Sequence, residues 1–357
     1  MKNSIKIYFT YSLLLCLSPG ALFAQQESNF SVFSGDLYLF NPAASGVSNI
    51  GSASIGTRLQ WLASAAAPST IYMNVHGQIK TKSNTNAVLQ EFNKEKKKGF
   101  ETVKRTVGAV KHTAGFKALN DRIGPFSKTS LQGSYAYHLP LTKKTNLSFG
   151  LGFGYTNLGI DTRKVRVENQ TDDLYNEFLT GSNGINMLDA SAGISIYGKK
   201  TLVGISTTQL FANNFKANSF ILDHGFNRHW NVYLSHLLFE KNDITVEPII
   251  MFRSVKGAPK SIDFGTKFTY QNNVSFGLMY RTGNTLGLQF GMNFSKNFNL
   301  SYAFEHYFSG NSSSSLRNTN ELKLGYIFGS KRNISKEIKE QKKINDDELA
   351  PPVPKTL

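Results

Sequence analysis

The chain of 357 residues contains a single cysteine, and only 18% of its residues are charged. After residue 24 it has no run of about 20 apolar residues, the length that a membrane-spanning helix needs. These shortages exclude a disulfide framework, a thiolate metal site and a helical membrane protein. Aromatic residues reach 12%, which excludes an intrinsically disordered chain.

Residues 1–24 have the composition of a signal peptide. Lys2 and Lys6 precede the apolar stretch 7–17, and the segment ends at the small residue Ala24. A basic, then an apolar, then a small-residue part is typical of a leader that is removed on export. We therefore expect the mature chain to begin at Gln25 and to contain no cysteine.

From residue 50 onward the chain alternates apolar with small or polar residues. In the stretch 147–155 every second residue is large and apolar, and serine or glycine lies between. Successive side chains of a strand point to opposite faces, so such a stretch predicts an amphipathic strand. Repeated segments of about ten alternating residues are typical of a transmembrane β-barrel. The sequence thus predicts an all-β fold, an antiparallel barrel of the bacterial outer membrane with about 14 strands.

The predicted strands lie at 50–62, 69–81, 105–113, 129–139, 147–156, 187–197, 201–209, 228–239, 244–253, 262–270, 274–281, 286–294, 298–308 and 320–329. Glycine and lysine interrupt the third, and the ninth contains Pro248, which predicts a bulge or a local break. From the sixth strand onward, links from even to odd strands are short, whereas 157–186, 210–227 and 309–319 are long. Short periplasmic turns and longer external loops are the known asymmetry of such barrels.

The face opposite the apolar one carries mixed charges, five basic and five acidic residues. With Gln60 and His76, this inward set is Arg58, Asp189, Glu247, Arg253, Asp263, Lys267, Arg281, Glu305, Glu321 and Lys323. Balanced charges predict pairing across the interior or contact with an inserted segment. A solvated channel wall is the alternative that the sequence leaves open.

Motifs of catalysis are absent from the sequence. It contains no His-Glu-x-x-His, no Gly-x-Ser-x-Gly and no phosphate-binding glycine loop. We expect no enzymatic activity, no cofactor and no bound metal. A net charge of +16 is compatible with nucleic-acid binding. No recognition motif accompanies the basic residues, so no nucleic-acid partner is expected.

Three stretches fall outside the predicted barrel at 50–329. Residues 25–49 are expected to be a periplasmic segment, and residues 330–357 a charged periplasmic tail. The link between the second and third strands is basic and unusually long for a periplasmic turn. Its cations Lys96, Lys97, Lys98, Lys104 and Arg105 are candidates for docking to a periplasmic partner.

Several motifs, in sequence order over about 36–329, resemble the PorP/SprF family of type IX secretion system membrane proteins. The first is Asn41-Pro42-Ala-Ala-Ser-Gly46. Arg58-x-Gln60-Trp61, Pro68 and His76 resemble the first hairpin of the family. Asn120-Asp-x-x-Gly124-Pro125-Phe126 and residues 135–139 resemble its third and fourth strands, and residues 320–328 its closing strand. Ala44 stands where the family commonly has an aromatic residue.

The resemblance implies an outer-membrane barrel that serves type IX secretion. Family members either join the core apparatus through periplasmic ring lipoproteins or help to secrete or anchor one large surface protein, such as a gliding adhesin. The expected partners are therefore outer-membrane lipids, secretion components and a secreted surface protein. The alternative is a general porin or a transport barrel for hydrophobic solutes.

The leader prediction is tested by processing and fractionation. The mature chain should begin at Gln25 and remain with the outer membrane after a carbonate wash, because the barrel is integral. N-terminal sequencing and immunoblots of membrane fractions measure both. An intact Met1, or release by carbonate, would contradict the prediction.

Overall fold

The computed structural model describes residues 30–31, 36–48, 51–61, 67–79, 105–164, 185–211, 227–241, 243–295, 297–308 and 318–328. Fifteen strands form one antiparallel sheet. Their bounds are β1 Gly51–Gln60, β2 Ser69–Ile79, β3 Lys111–Ile123, β4 Phe126–Thr142, β5 Thr145–Ile160, β6 Ile185–Gly198, β7 Thr201–Thr208, β8 His229–His236, β9 Phe239–Lys241, β10 Ile244–Val255, β11 Ser261–Tyr270, β12 Val274–Arg281, β13 Thr285–Asn293, β14 Phe298–Tyr307 and β15 Asn318–Phe328.

The sheet closes into a barrel. Apart from β8 and β9, each strand pairs with the next strand in sequence, and β1 pairs with β15 from Gly51↔Phe328 to Gln60↔Thr319. The short β9 and the longer β8 pair with successive parts of β10, so they occupy one position in the wall. The barrel therefore has 14 strand positions, and the predicted fold class is confirmed.

The third strand is the one whose predicted place is wrong. It runs over Lys111–Ile123 rather than 105–113. Its outward face carries Ala114, Phe116 and Ala118, with one large apolar side chain among them, so its alternation is too weak to mark a strand. It ends in the two-residue turn Gly124-Pro125.

The irregularity expected at Pro248 is present, but it lies in the neighbouring strand. β10 continues through Pro248, which pairs with Thr266 of β11. On the other side β10 pairs with β9 up to Val246↔Phe239 and with β8 from Ile249↔Ser235. Two residues of β10 thus oppose three residues of the other strand. Pro248 has no N–H to donate to the ladder between β10 and the strand formed by β8 and β9. The extra residue in that strand forms a bulge where the hydrogen bond is missing.

The two faces of the wall differ as the alternation predicts. Large apolar side chains point outward, and Phe153 on β5 is 61% exposed. Most of the inward-facing residues of the same strand are buried, with Ser148 at 0%. An apolar belt of this extent is the surface that a barrel presents to lipid. Among the described residues, no helix is long and apolar enough to cross a membrane.

The described part of 25–49 does not lie in the periplasm, so that expectation is wrong. Residues 36–48, here called the luminal segment, run through the barrel interior as two 3₁₀ turns, Leu37–Leu39 and Pro42–Ala44. Asn41 and Ala43 are completely buried there. The segment is short and apolar, and the interior supplies the hydrogen bonds that its backbone needs. The tail 330–357 lies outside the described residues.

Candidate functional site: the occupied lumen

Asn41 is the central contact of the luminal segment. Its Oδ1 accepts a hydrogen bond from the Ala43 N–H at 2.8 Å, which caps the second 3₁₀ turn. Its Nδ2 lies 3.1 Å from both Ser195 Oγ on β6 and Tyr233 Oη on β8. Pro42 begins the turn, where a missing N–H costs no hydrogen bond. The Asn-Pro pair thus fixes the turn to the barrel wall.

The carbonyl groups of the luminal segment are bound by side chains of the wall. Lys117 Nζ donates to Leu39 O at 2.9 Å, Ser206 Oγ to Phe40 O at 2.9 Å and Ser148 Oγ to Ala43 O at 2.8 Å. Lys111 Nζ donates to Gly46 O at 2.7 Å. Buried carbonyls that lack partners are costly, so these four donors hold the segment in place.

Wall glycines make room for the luminal segment, and Gly150 and Gly193 lie against its second turn. A Cβ at Gly150 on β5 would overlap the backbone of Pro42 and Ala43, and a Cβ at Gly193 on β6 would overlap Asn41 Oδ1. The small inward residues that the alternation revealed are therefore contact surfaces for the segment at these two positions.

A second group of contacts is made by six ionic side chains. Arg58 Nη2 lies 2.9 Å from Glu305 Oε2, and Arg58 Nη1 lies 3.4 Å from Glu321 Oε2. Arg281 bridges Glu305 at 3.3 Å and Asp263 at 2.9 Å, and Arg253 lies 2.7 Å from Asp263. None of the six side chains is more than 10% exposed. We call Arg58, Arg253, Asp263, Arg281, Glu305 and Glu321 the charge cluster.

Alternating charges make the cluster compatible with burial. It holds three arginines and three carboxylates, so each charge has an opposite neighbour in the low-dielectric interior. The inward charges thus pair with one another, but each pair joins strands that are adjacent or two positions apart in the wall and does not cross the interior. The backbone N–H of Ser31 donates to Glu321, and the Phe30 ring lies 4.7 Å from the Tyr72 ring. The cluster therefore also contacts residues that precede the luminal segment.

Arg105 is largely buried and bonded to the barrel wall, with 14% of its side chain exposed. Its guanidinium donates to Ser235 Oγ at 2.6 Å and to Lys200 O at 2.7 Å, and it forms an ion pair with Glu247 on β10. Ser48, at the end of the luminal segment, forms a β-bridge with Arg105. The arginine ties the chain before β3 to the end of the barrel. Lys96, Lys97, Lys98 and Lys104 lie outside the described residues.

The other family-motif residues lie at one end of the barrel, in the links that follow β1 and β3. Gln60 donates from its backbone to Pro68 O at 2.9 Å, and Trp61 donates to Asn318 O at 2.9 Å. These bonds join the ends of β1, β2 and β15. Gly124 has a φ of 58°, which suits glycine in the tight turn before Pro125.

His76 is the motif residue that meets the luminal segment. Its ring lies 4.5 Å from the ring of Tyr38, whose hydroxyl is hydrogen-bonded to Ser134 at 2.7 Å.

Sequence reasoning missed several residues that hold the luminal segment. Lys111 and Lys117 are on the misplaced third strand, and Tyr233 and Ser206 lie on β8 and β7. Period-two spacing of Lys111, Thr113, Gly115 and Lys117 is the signal that would have found the first two. In the described part of the chain, no three His, Cys, Asp or Glu residues gather in a metal-binding group.

Conductance tests whether the luminal segment closes the barrel. The intact chain should carry only small currents in planar bilayers. Deletion of residues 36–47 should produce larger steps, because the deletion removes the groups that fill the interior. Heat-modifiable gel mobility verifies folding, and a deletion of 170–180 in an outer loop is the control. Large, stable currents from the intact chain would favour the porin alternative.

Loss of one cation should destabilise the charge cluster. Arg58→Met should lower the free energy of unfolding by about 3–5 kcal/mol, because Glu305 and Glu321 lose a buried partner. Arg58→Met with Glu321→Leu should recover part of the loss, since one unpaired carboxylate is removed. Urea titration of the barrel in lipid vesicles measures both. The control is Arg163→Met, whose side chain is 88% exposed and which should change nothing. Equal stability of Arg58→Met and the wild type would contradict the role of the cluster.

Structural similarity extends to solved barrels. A ΔS2S3 mutant of the monoaromatic hydrocarbon channel TodX aligns with a TM-score of 0.47 at 8% identity, over 85% of this chain and 98% of that one. The toluene transporter TbuX of Ralstonia pickettii gives 0.47 at 10%, over 85% and 94%. The outer membrane protein Omp33 of Acinetobacter baumannii gives 0.42 at 8%, over 79% and 100%. No curated protein matches the chain in sequence.

A family model identifies the chain. The model of the type IX secretion system membrane protein PorP/SprF matches residues 22–326, most of the sequence. This range includes the luminal segment, the charge cluster and nearly all of β15. A membrane-protein family and a closed barrel with an apolar outer belt together place the protein in the outer membrane. The chain belongs to the PorP/SprF family of type IX secretion system membrane proteins.

Proposed function

We propose that this outer-membrane component of type IX secretion acts by binding protein partners and not by passing solutes. In this proposal it assists the secretion or surface attachment of a partner protein, such as a gliding adhesin. The observation that carries the proposal is the luminal segment, whose carbonyls are bound by Lys111, Lys117, Ser148 and Ser206 of the wall.

A barrel with an occupied interior offers its two ends to partners. At the periplasmic end, the basic link between β2 and β3 and the tail after residue 330 are the proposed contacts with a secretion component. At the outer end, the loops around 157–186 and 210–227 are proposed to contact the exported protein. Clustered charge chiefly steers encounter, so the periplasmic contact should weaken with salt.

Two deletions test the two proposed contacts independently. Removal of residues 84–103 should leave the barrel folded and heat-modifiable but reduce surface display of the cognate protein, because the link is a docking element. Shortening of the 157–186 loop should reduce display independently. Surface immunolabelling measures display, and whole-cell immunoblots control for expression. If neither deletion changes display, both stretches are spacers and the docking proposal is wrong.

A further inference from the structure

Two neighbouring turns at the periplasmic end each consist of two lysines. Lys143 and Lys144 join β4 to β5, and Lys199 and Lys200 join β6 to β7. All four residues are exposed. Thr145 pairs with Gly198 in the β5–β6 ladder, and the position of a Cβ at Gly198 is 3.3 Å from Lys144 O. The two turns, here called the lysine turns, therefore form one surface.

Among the short turns at this end of the barrel, the lysine turns carry most of the positive charge. The three other short turns at this end are 242–243, 271–273 and 294–297, and in sequence they contain one aspartate, Asp243, and one lysine, Lys296. The lysine turns contain four lysines and no acidic residue. Anionic lipid would surround the barrel on every side, so contact with lipid would favour lysines in all of the short turns at this end and not in two neighbouring ones.

The long link between β2 and β3 is fixed beside the lysine turns. Arg105 Nη1 donates to Lys200 O at 2.7 Å. The Gly108 N–H donates to Asn146 Oδ1 at 2.7 Å, and Asn146 Nδ2 donates to Ala109 O at 2.9 Å. One residue, Thr145, separates Asn146 from Lys144 of the first lysine turn. These hydrogen bonds hold residues 105–109, the last part of the link, beside the lysine turns.

We propose that Lys143, Lys144, Lys199 and Lys200 form a docking surface for an acidic face of a periplasmic protein. The inference rests on the proposed function and names the chemistry of the periplasmic partner. Four exposed lysines on two touching turns form a positive surface, and an acidic face of a protein is complementary to it in charge. Tight turns hold the four backbone positions in place, so little ordering is needed on binding.

Site-specific crosslinking in cells tests the surface. A photoreactive p-benzoylphenylalanine at Lys143 leaves three lysines in place and reports what lies against the turn. The test variant adds Lys144→Glu, Lys199→Glu and Lys200→Glu. The matched control adds Lys256→Glu and Lys260→Glu, two exposed lysines of the β10–β11 turn at the outer end. Heat-modifiable mobility shows that each variant is folded.

The proposal expects a protein adduct at residue 143 whose yield falls roughly tenfold or more in the test variant and is unchanged in the control. In the chain that has the photoreactive residue at position 143 and keeps the other three lysines, the adduct yield should also fall when cells are irradiated in high salt. An adduct unaffected by charge reversal, or an adduct with phospholipid alone, would overturn it. The proposed function is judged separately, by surface display in a strain that lacks the whole chain. Normal display there would refute that function whatever the crosslinks show.

Discussion

Closure of the barrel between β1 and β15 is the constraint on which the rest of the structure depends. In a bilayer every backbone N–H and C=O must be paired within the protein, so an open sheet edge is not tolerated. The ladder from Gly51↔Phe328 to Gln60↔Thr319 satisfies this by joining strands from opposite ends of the sequence. Arg58 and Glu321 lie opposite each other in that ladder, and both are buried. The charge cluster therefore reinforces the closing contact.

Closure also creates an interior that must be filled or hydrated. The wall provides small residues and polar donors on its inward face, and the luminal segment provides carbonyls and one asparagine. Gly150 and Gly193 admit the backbone where a larger residue would exclude it. Lys111 and Lys117 bring positive charge to carbonyl oxygens, which a solvated channel wall would not require. The interior thus serves to fix an inserted chain.

The fold was predictable to the extent that its signal is local. Thirteen of the fourteen predicted strands agree with observed strands to within a few residues, and the third overlaps β3 only at residues 111–113. The agreement arises because lipid contact forces large apolar side chains onto every second residue. β3 was misplaced because Ala114 and Ala118 meet the lipid-facing requirement without a strong apolar signal. For the site, the equal numbers of inward acidic and basic residues predicted that they pair. Arg58, Glu305 and Glu321 belong to that predicted set. The ion pair of Arg105 was not predicted, since nothing in its sequence neighbourhood reveals the distant Glu247.

The sequence by itself determined the barrel, its inward and outward faces and the family. The barrel and its faces follow from the period-two spacing of apolar residues, and the family follows from an ordered series of motifs. The tertiary structure alone decided where residues 36–48 lie. Asn41-Pro42 is a turn signal that fits a periplasmic segment as well as a luminal one. Its partners Ser195 and Tyr233 lie 154 and 192 residues away in sequence. Only closure of the barrel brings them to one asparagine, because contacts across a lumen have no period along the chain.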